Sequence, residues 1–218
     1  MNILCVGYRN WALRIYDKLA SSYRGGNIFI IRNKETYNEE IISKYNPDVI
    51  LFYGWSFYIS KNIFSKYKCV MLHPSKLPKY RGGSPIQNQV MAGETASAVS
   101  LFLIAEGIDS GDILFQKDIS LEGELSDIFN RMVEIGYEGT LEILNNNLKV
   151  LFEQDNEKAT YCRRRKEEES EITIDELIGK SSTYLFNKIR MLADPYPNAF
   201  FKTFDGKKLV IKKVEIHD

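Results

Sequence analysis

The apolar residues of this chain come in short runs, and the runs alternate with helically spaced segments. Residues 2–6 form one run, ending at Gly7, and Trp11, Leu13, Ile15 and Leu19 follow with helical spacing. Residues 27–31 are apolar, 39–45 read as a polar helix, and 49–53 and 68–72 are apolar again. A run of four to six apolar residues is too short for a buried helix. Alternation of such runs with helices predicts βαβ units and a parallel sheet. The expected class is α/β, a Rossmann-like, mainly parallel sheet with helices on both faces. Catalytic groups in such sheets gather at the carboxyl ends of the strands. Tyr53-Gly54-Trp55 and His73-Pro74 fall there.

The pattern then changes. Residues 96–104 and 112–121 read as strands joined by a loop in which Gly107 and Gly111 bracket Asp109. This predicts an antiparallel pair with Asp109 at its tip. Leu125, Ile128, Phe129, Met132 and Ile135 have helical spacing and predict a helix lying back on the sheet. Beyond residue 150 the composition shifts. Arg163-Arg164-Arg165-Lys166 runs into three glutamates and reads as a solvated turn. A last helix is expected over 181–192, stopped by Pro195 and Pro197, then a hairpin of 199–203 with 207–213 through Asp205-Gly206. The expected organisation is a core of residues 1–150 and a small C-terminal extension, 151–218, holding a helix and the hairpin.

Several classes are disfavoured. Lys+Arg and Asp+Glu balance at 29 each, so no basic surplus points to nucleic acid. The three cysteines are odd in number and far apart, which suggests neither a disulfide framework nor a zinc site. No apolar stretch approaches the roughly 18 residues of a membrane span. The N-terminus reads as a first strand rather than a signal peptide. A cytoplasmic chain with no metal, no membrane contact and no nucleic-acid partner is expected. The closing hairpin offers an edge for a homodimer.

There are only two histidines. His217 lies at the end of the chain. His73 follows a buried-looking run, in a segment where Pro74, Pro78 and Pro85 restrict the backbone around Gly82-Gly83. A stiff loop holding one imidazole suits acid–base work near neutral pH. From spacing alone, a histidine that merely bonds nearby backbone is an equal reading. Asp109, between glycines, reads equally as a turn residue, and Glu106 and Asp112 flank it.

The segment His73-Pro74-Ser75-Lys76-Leu77-Pro78-Lys79-Tyr80-Arg81-Gly82-Gly83-Ser84-Pro85-Ile86 resembles the signature loop of the folate-dependent formyltransferases. That group includes methionyl-tRNA, glycinamide ribonucleotide and sugar N-formyltransferases. Glu106-Gly107-Ile108-Asp109-Ser110-Gly111-Asp112-Ile113-Leu114 resembles the second signature of the same group, in order and at the expected separation. A weaker match continues through Arg163-Arg164-Arg165 and Pro195-Tyr196-Pro197-Asn198-Ala199-Phe200.

The resemblance implies that His73 and Asp109 are catalytic and that the formyl donor is N10-formyltetrahydrofolate. The group usually has an asparagine two residues before the histidine. Here that residue is Met71, which has no hydrogen to donate. Asn88, backbone amides or a protonated His73 are the candidates to replace it. An inactive, folate-binding relative is the competing reading. The donor pocket implied by position comprises Tyr53, Trp55, Phe57, Tyr58 and Ile59, with Ile104 and Gly107. On the acceptor side the candidates are Arg9, Ser75, Lys79, Tyr80, Arg81, Gly82 and Gly83, with Arg81 the foremost. Gly7-Tyr8-Arg9-Asn10-Trp11 lacks the repeated glycines of a phosphate cradle, which disfavours glycinamide ribonucleotide. The expected acceptor is a nucleotide-linked amino sugar. The wording of the first signature is most similar to enzymes formylating a UDP-linked 4-amino-4,6-dideoxy sugar on a pseudaminic-acid-type pathway, for cell-surface polysaccharide. A methionyl-tRNA or glycinamide ribonucleotide enzyme is the alternative.

Overall fold

The computed structural model describes residues 1–217. The first half alternates strand and helix: β1 (Asn2–Val6), α1 (Asn10–Ser22), β2 (Asn27–Ile31), α2 (Glu39–Tyr45), β3 (Val49–Phe52), α3 (Lys61–Lys66) and β4 (Lys68–His73). After a two-residue strand β5 (Arg81–Gly82) and helix α4 (Pro85–Met91) come β6 (Ala96–Leu103), β7 (Ile113–Ser120) and the long helix α5 (Leu125–Asn145). The six-stranded sheet runs β2-β1-β3-β4-β6-β7. The first four strands are parallel neighbours, and β6 runs antiparallel to both β4 and β7.

Both faces of the sheet are covered, which is why its strands read as unbroken apolar runs. Successive side chains alternate between the faces. Ile3, Cys5, Val49, Leu51, Val70 and Leu72 join the core beneath α1 and α5. Leu4, Val6, Ile50, Phe52 and Cys69 join the core on the opposite face, with Ile42 of α2 and Ile63 of α3. Each such fully buried aliphatic side chain contributes about 1.5–3 kcal/mol relative to exposure. A one-residue slip of register would exchange the two sets.

The C-terminal segment adds β8 (Tyr161–Cys162), α6 (Ile174–Gly179), α7 (Ser182–Met191) and the antiparallel hairpin of β9 (Phe200–Lys202) and β10 (Lys208–Val210). It has a small cluster of its own around Ile172, Ile189, Leu192 and Ala199. It is also stitched to the core. β8 pairs with β5, Phe152 bridges to Ile113, and the Arg190 guanidinium donates to the carbonyls of Leu121 and Gly123.

Two helices and one strand pair lie outside the sequence expectation. α3 and α6 have six residues each, too few for a helical period to show. The β5–β8 pair joins residues 80 positions apart, and local pattern carries no signal for it.

Candidate active site

His73 is the last residue of β4, and the loop after it is cross-braced. Ser75 Oγ donates to the Lys79 carbonyl at 2.6 Å, Ser100 Oγ to the Ser75 carbonyl at 2.7 Å, and Gln89 Nε2 to the Pro74 carbonyl at 2.9 Å. The loop closes back on the imidazole, with Tyr80 O 2.8 Å from His73 Nε2. A carbonyl only accepts, so Nε2 carries the hydrogen of that contact.

Asp109 sits at the tip of the β6–β7 connection in a left-handed conformation, φ 48°. Its Oδ2 accepts from the Gly82 amide at 2.8 Å and lies 3.3 Å from His73 Nδ1. The His73 side chain is buried and that of Asp109 partly buried, at 6% and 12% exposure, so solvent screens the pair little. Gly82 meets the carboxylate at φ 106°, and a Cβ there would stand 2.3 Å from the Cys162 carbonyl of β8. Only glycine fits between the two strands while presenting its amide to Asp109. Each ring nitrogen thus has an acceptor oxygen nearby, Tyr80 O at Nε2 and Asp109 Oδ2 at Nδ1.

The pair stands in a cleft of about 970 Å³. Its walls include the apolar and aromatic side chains of Trp55, Phe57, Tyr58, Ile59, Phe64, Phe102 and Ile104, and Gly107 also lines it. Trp55 packs edge-on against Phe57 with centroids 5.1 Å apart and also contacts Tyr8 and Tyr37. Its indole Nε1 is buried without a hydrogen-bond partner, although it lies in a cleft wall. Met71 also lines the cleft, two residues before His73 and on the same face of β4.

The same cleft carries arginines. Arg9, Arg163, Arg164 and Arg165 line it with Gln87 and Tyr196. Arg163 is paired with both oxygens of Glu169 at 2.8 Å. Arg9 and Arg164 have no carboxylate partner among the described residues. The Arg9 guanidinium lies 5.0 Å from the Tyr8 ring and 5.4 Å from the Tyr196 ring. Burial pushes the Tyr196 phenol above its ordinary value, against the opposing charge of Arg9. The arginine run, expected as a solvated turn, is exposed at Arg163 and Arg164, and the β5–β8 pairing also brings it to the cleft.

The structure separates the sequence candidates. His73, Asp109, Trp55, Phe57, Tyr58, Ile59, Ile104, Gly107, Arg9, Gly82 and Gly83 line the cleft. Tyr53 does not. It is fully buried in the core, with its hydroxyl 3.0 Å from Thr140 Oγ1. Ser75 and Lys79 brace the loop behind His73. Tyr80 reaches Glu94 with its hydroxyl, and only its carbonyl faces the imidazole. Arg81, foremost among the acceptor candidates, is 1% exposed and bonds Gln154, Asn156 and Tyr161 instead of facing the cleft. Asn88, considered as a replacement donor for the Met71 position, gives its amide hydrogens to the carbonyls of Gly83 and Arg163 and does not line the cleft. Gln87, Arg164 and Tyr196 are cleft residues that sequence reasoning did not single out. Arg164 and Tyr196 lay inside segments of weak resemblance, and Gln87 carried no signal of its own.

A model of the formyl transferase family matches residues 13–144. The chain belongs to the formyl transferase family. The methionyl-tRNA formyltransferase of Rickettsia felis is 32% identical over 190 residues, which span 85% of this chain and 60% of that protein. The chain thus spans about three-fifths of the length of such curated relatives. A solved methionyl-tRNA formyltransferase from Clostridium thermocellum superposes with a TM-score of 0.90 at 33% identity, covering 100% of this chain and 94% of that one. A sugar N-formyltransferase from a Shewanella species superposes at 0.77 with 16% identity, covering 100% and 99%. At that identity the second likeness concerns the fold alone.

Among the described residues there is no cluster of His, Cys, Asp and Glu suited to a metal. No helix there is long and apolar enough to cross a membrane.

Proposed function

We propose that this chain moves a formyl group from N10-formyltetrahydrofolate to the amino group of a nucleotide-linked 4-amino-4,6-dideoxy sugar, UDP-linked and of the pseudaminic-acid type. One observation carries the reading. The His73–Asp109 pair opens on one cleft whose lining combines aromatic and apolar side chains with Arg9, Arg163, Arg164 and Arg165. A flat pterin suits the aromatic part of that lining. A diphosphate suits the arginines, because Arg9 and Arg164 bring charge with no internal carboxylate to spend it on.

The chemistry follows from that arrangement. As the amine attacks, negative charge develops on the formyl oxygen and positive charge on the attacking nitrogen. His73, set between Tyr80 O and Asp109, stabilises the first. Asp109 takes the proton released by the second; as the intermediate collapses, the bond from the formyl carbon to N10 breaks and that proton passes to N10, so the donor leaves as tetrahydrofolate. Met71 adds apolar wall and no hydrogen bond, so the oxyanion relies on His73 and on backbone amides.

A second reading, methionyl-tRNA as acceptor, is favoured by the 33% identity to the Clostridium protein. One experiment separates them. The protein is incubated with formyl donor and, in parallel, UDP-amino sugars, glycinamide ribonucleotide and methionyl-tRNA, and the gain of one formyl group is read by mass spectrometry. Formylated UDP-amino sugar is expected. Formylated methionyl-tRNA alone would replace the acceptor, and no formylated product with any amine would overturn the reading.

A further inference from the structure

We propose that Gln154 is a positioning residue that sets the Asp109 carboxylate against His73, an inference that rests on the formyl-transfer reading above. Gln154 lies between α5 and β8, 9% exposed, and lines no part of the cleft. Its Oε1 accepts from Arg81 Nη2 at 2.7 Å and Nε at 3.2 Å. Its Nε2 donates to the Asp109 carbonyl at 2.9 Å and the Gly111 carbonyl at 2.6 Å. The orientation of the amide is not arbitrary. A guanidinium only donates and a carbonyl only accepts, so a flipped amide would lose all four contacts.

These contacts close a ring. Arg81 is covalently joined to Gly82, the Gly82 amide holds the Asp109 carboxylate, the Asp109 carbonyl is held by Gln154, and Gln154 holds Arg81. Asp109 is thus gripped at its side chain and at its own carbonyl. That matters because its backbone sits at φ 48°, a left-handed region that residues other than glycine adopt only under strain. Without the grip on the carbonyl, the peptide after Asp109 is free to relax toward ordinary geometry and carry the carboxylate away from the imidazole. Gly111 has no such freedom. A Cβ there would stand 1.8 Å from the Leu103 carbonyl, so the far end of the loop is pressed against β6. The slack of the loop is therefore concentrated at Asp109, where Gln154 removes it.

A purely structural role is the competing account, in which Gln154 exists to satisfy the buried Arg81. Arg81 has only neutral acceptors, namely Gln154, Asn156 and the Tyr161 hydroxyl. Gln154→Glu separates the two accounts. The new carboxylate still accepts from Arg81, with added charge, but offers no hydrogen to the carbonyls of residues 109 and 111. If Gln154 positions Asp109, Q154E still folds, with a Tm lowered by the two hydrogen bonds it no longer donates. Its kcat then falls at least about tenfold with both KM values nearly unchanged, since misplacement of a reacting group by about 1 Å costs up to about a hundredfold. The His73 ring titration, resolved by NMR because the chain has only two histidines, shifts from the wild-type curve. If Gln154 only satisfies Arg81, Q154E is wild type in kcat and in the His73 titration, and the proposal falls.

Should Q154E fold poorly, the double variant R81M/Q154L removes the buried charge together with its partner. A folded double variant with kcat still depressed supports the proposal, and one with wild-type kcat overturns it. Absence of formyl transfer in the wild-type protein is a different failure, that of the reaction itself, and the NMR titration still decides whether Gln154 holds the carboxylate in register.

Discussion

Asp109 Oδ2 lies 3.3 Å from His73 Nδ1 and 2.8 Å from the Gly82 amide nitrogen, so one carboxylate oxygen serves both the imidazole and the loop that carries it. The pairing joins two segments 36 residues apart. It converts a strand end and a loop tip into a single acid–base unit. Asp109→Asn retains an oxygen for the Gly82 amide while removing the charge opposite His73. A kcat loss of about 10²–10⁴-fold is expected for it and for His73→Ala, with the donor KM little changed, because acid–base groups contribute on that scale. Steady-state formylation assays check this. Full activity in either variant would take that residue out of the mechanism.

The free arginines make a separate claim about the acceptor. Arg164→Ala removes a charge that has no internal partner, so the fold has little to lose. If a phosphate of the acceptor docks there, the acceptor KM should rise about 10–100-fold, the equivalent of losing about 1.5–3 kcal/mol of charged hydrogen bonding. The donor KM should not move. Arg9→Gln should act the same way, with an added loss of its stacking between Tyr8 and Tyr196. Equal changes in both KM values would place these arginines outside the acceptor compartment.

The sheet and the ends of its strands were legible in the sequence because their signals are local. Apolar runs doubly covered by helices stay apolar at every position, and Gly107, Gly111 and the prolines around His73 punctuate the chain where it turns. The walls of the cleft were not legible, because they are assembled by contacts between distant residues. Arg81 is buried only because Gln154, Asn156 and Tyr161 arrive 73 to 80 residues later. Asn88 is turned from the cleft by the carbonyl of Arg163, 75 residues away. Residue type made Arg81 look like a ligand arginine and Arg164 like a surface one. The β5–β8 pair buries Arg81 and brings Arg164, still exposed, to the cleft wall.

Helix α1 is fastened to the strand ends that carry Arg9 and Trp55 by one phenol. Tyr16 Oη accepts from the Tyr53 amide at 2.7 Å and lies 2.7 Å from the Leu51 carbonyl and 3.0 Å from the Val6 carbonyl, all of them buried. Burial accordingly pushes the phenol well above its ordinary titration range. Tyr16→Phe leaves the Tyr53 N–H without a partner in the core, which costs about 1–3 kcal/mol. A fall in Tm of roughly 2–4 °C per kcal/mol is expected for a chain of this size. Thermal denaturation followed by circular dichroism measures it, and an unchanged Tm would mean the amide finds another acceptor.

The C-terminal segment should weaken in acid through one pair. Lys188 is nearly fully buried, and its ammonium donates to Glu176 at 2.6 and 2.9 Å and to the Glu171 carbonyl at 2.6 Å. Burial pushes the Glu176 carboxyl up, but the Lys188 hydrogen bonds and charge, with the Thr173 amide and the Tyr184 hydroxyl, outweigh it and hold the group below its usual value. A carboxyl lowered in the folded state stabilises the fold fully above its unfolded value of about 4.3. That stability is lost as pH falls through the lowered folded value. Glu176→Gln removes the charge at every pH and leaves the buried ammonium with neutral acceptors only, so at pH 7 it should destabilise by about 2 kcal/mol. The Tm gap between wild type and variant should be widest at neutral pH and shrink as pH drops below the folded value, where the wild-type carboxyl is neutral as well. A gap of constant width from pH 7 down to pH 3 would show that the charge on Glu176 is not what holds α6 to α7.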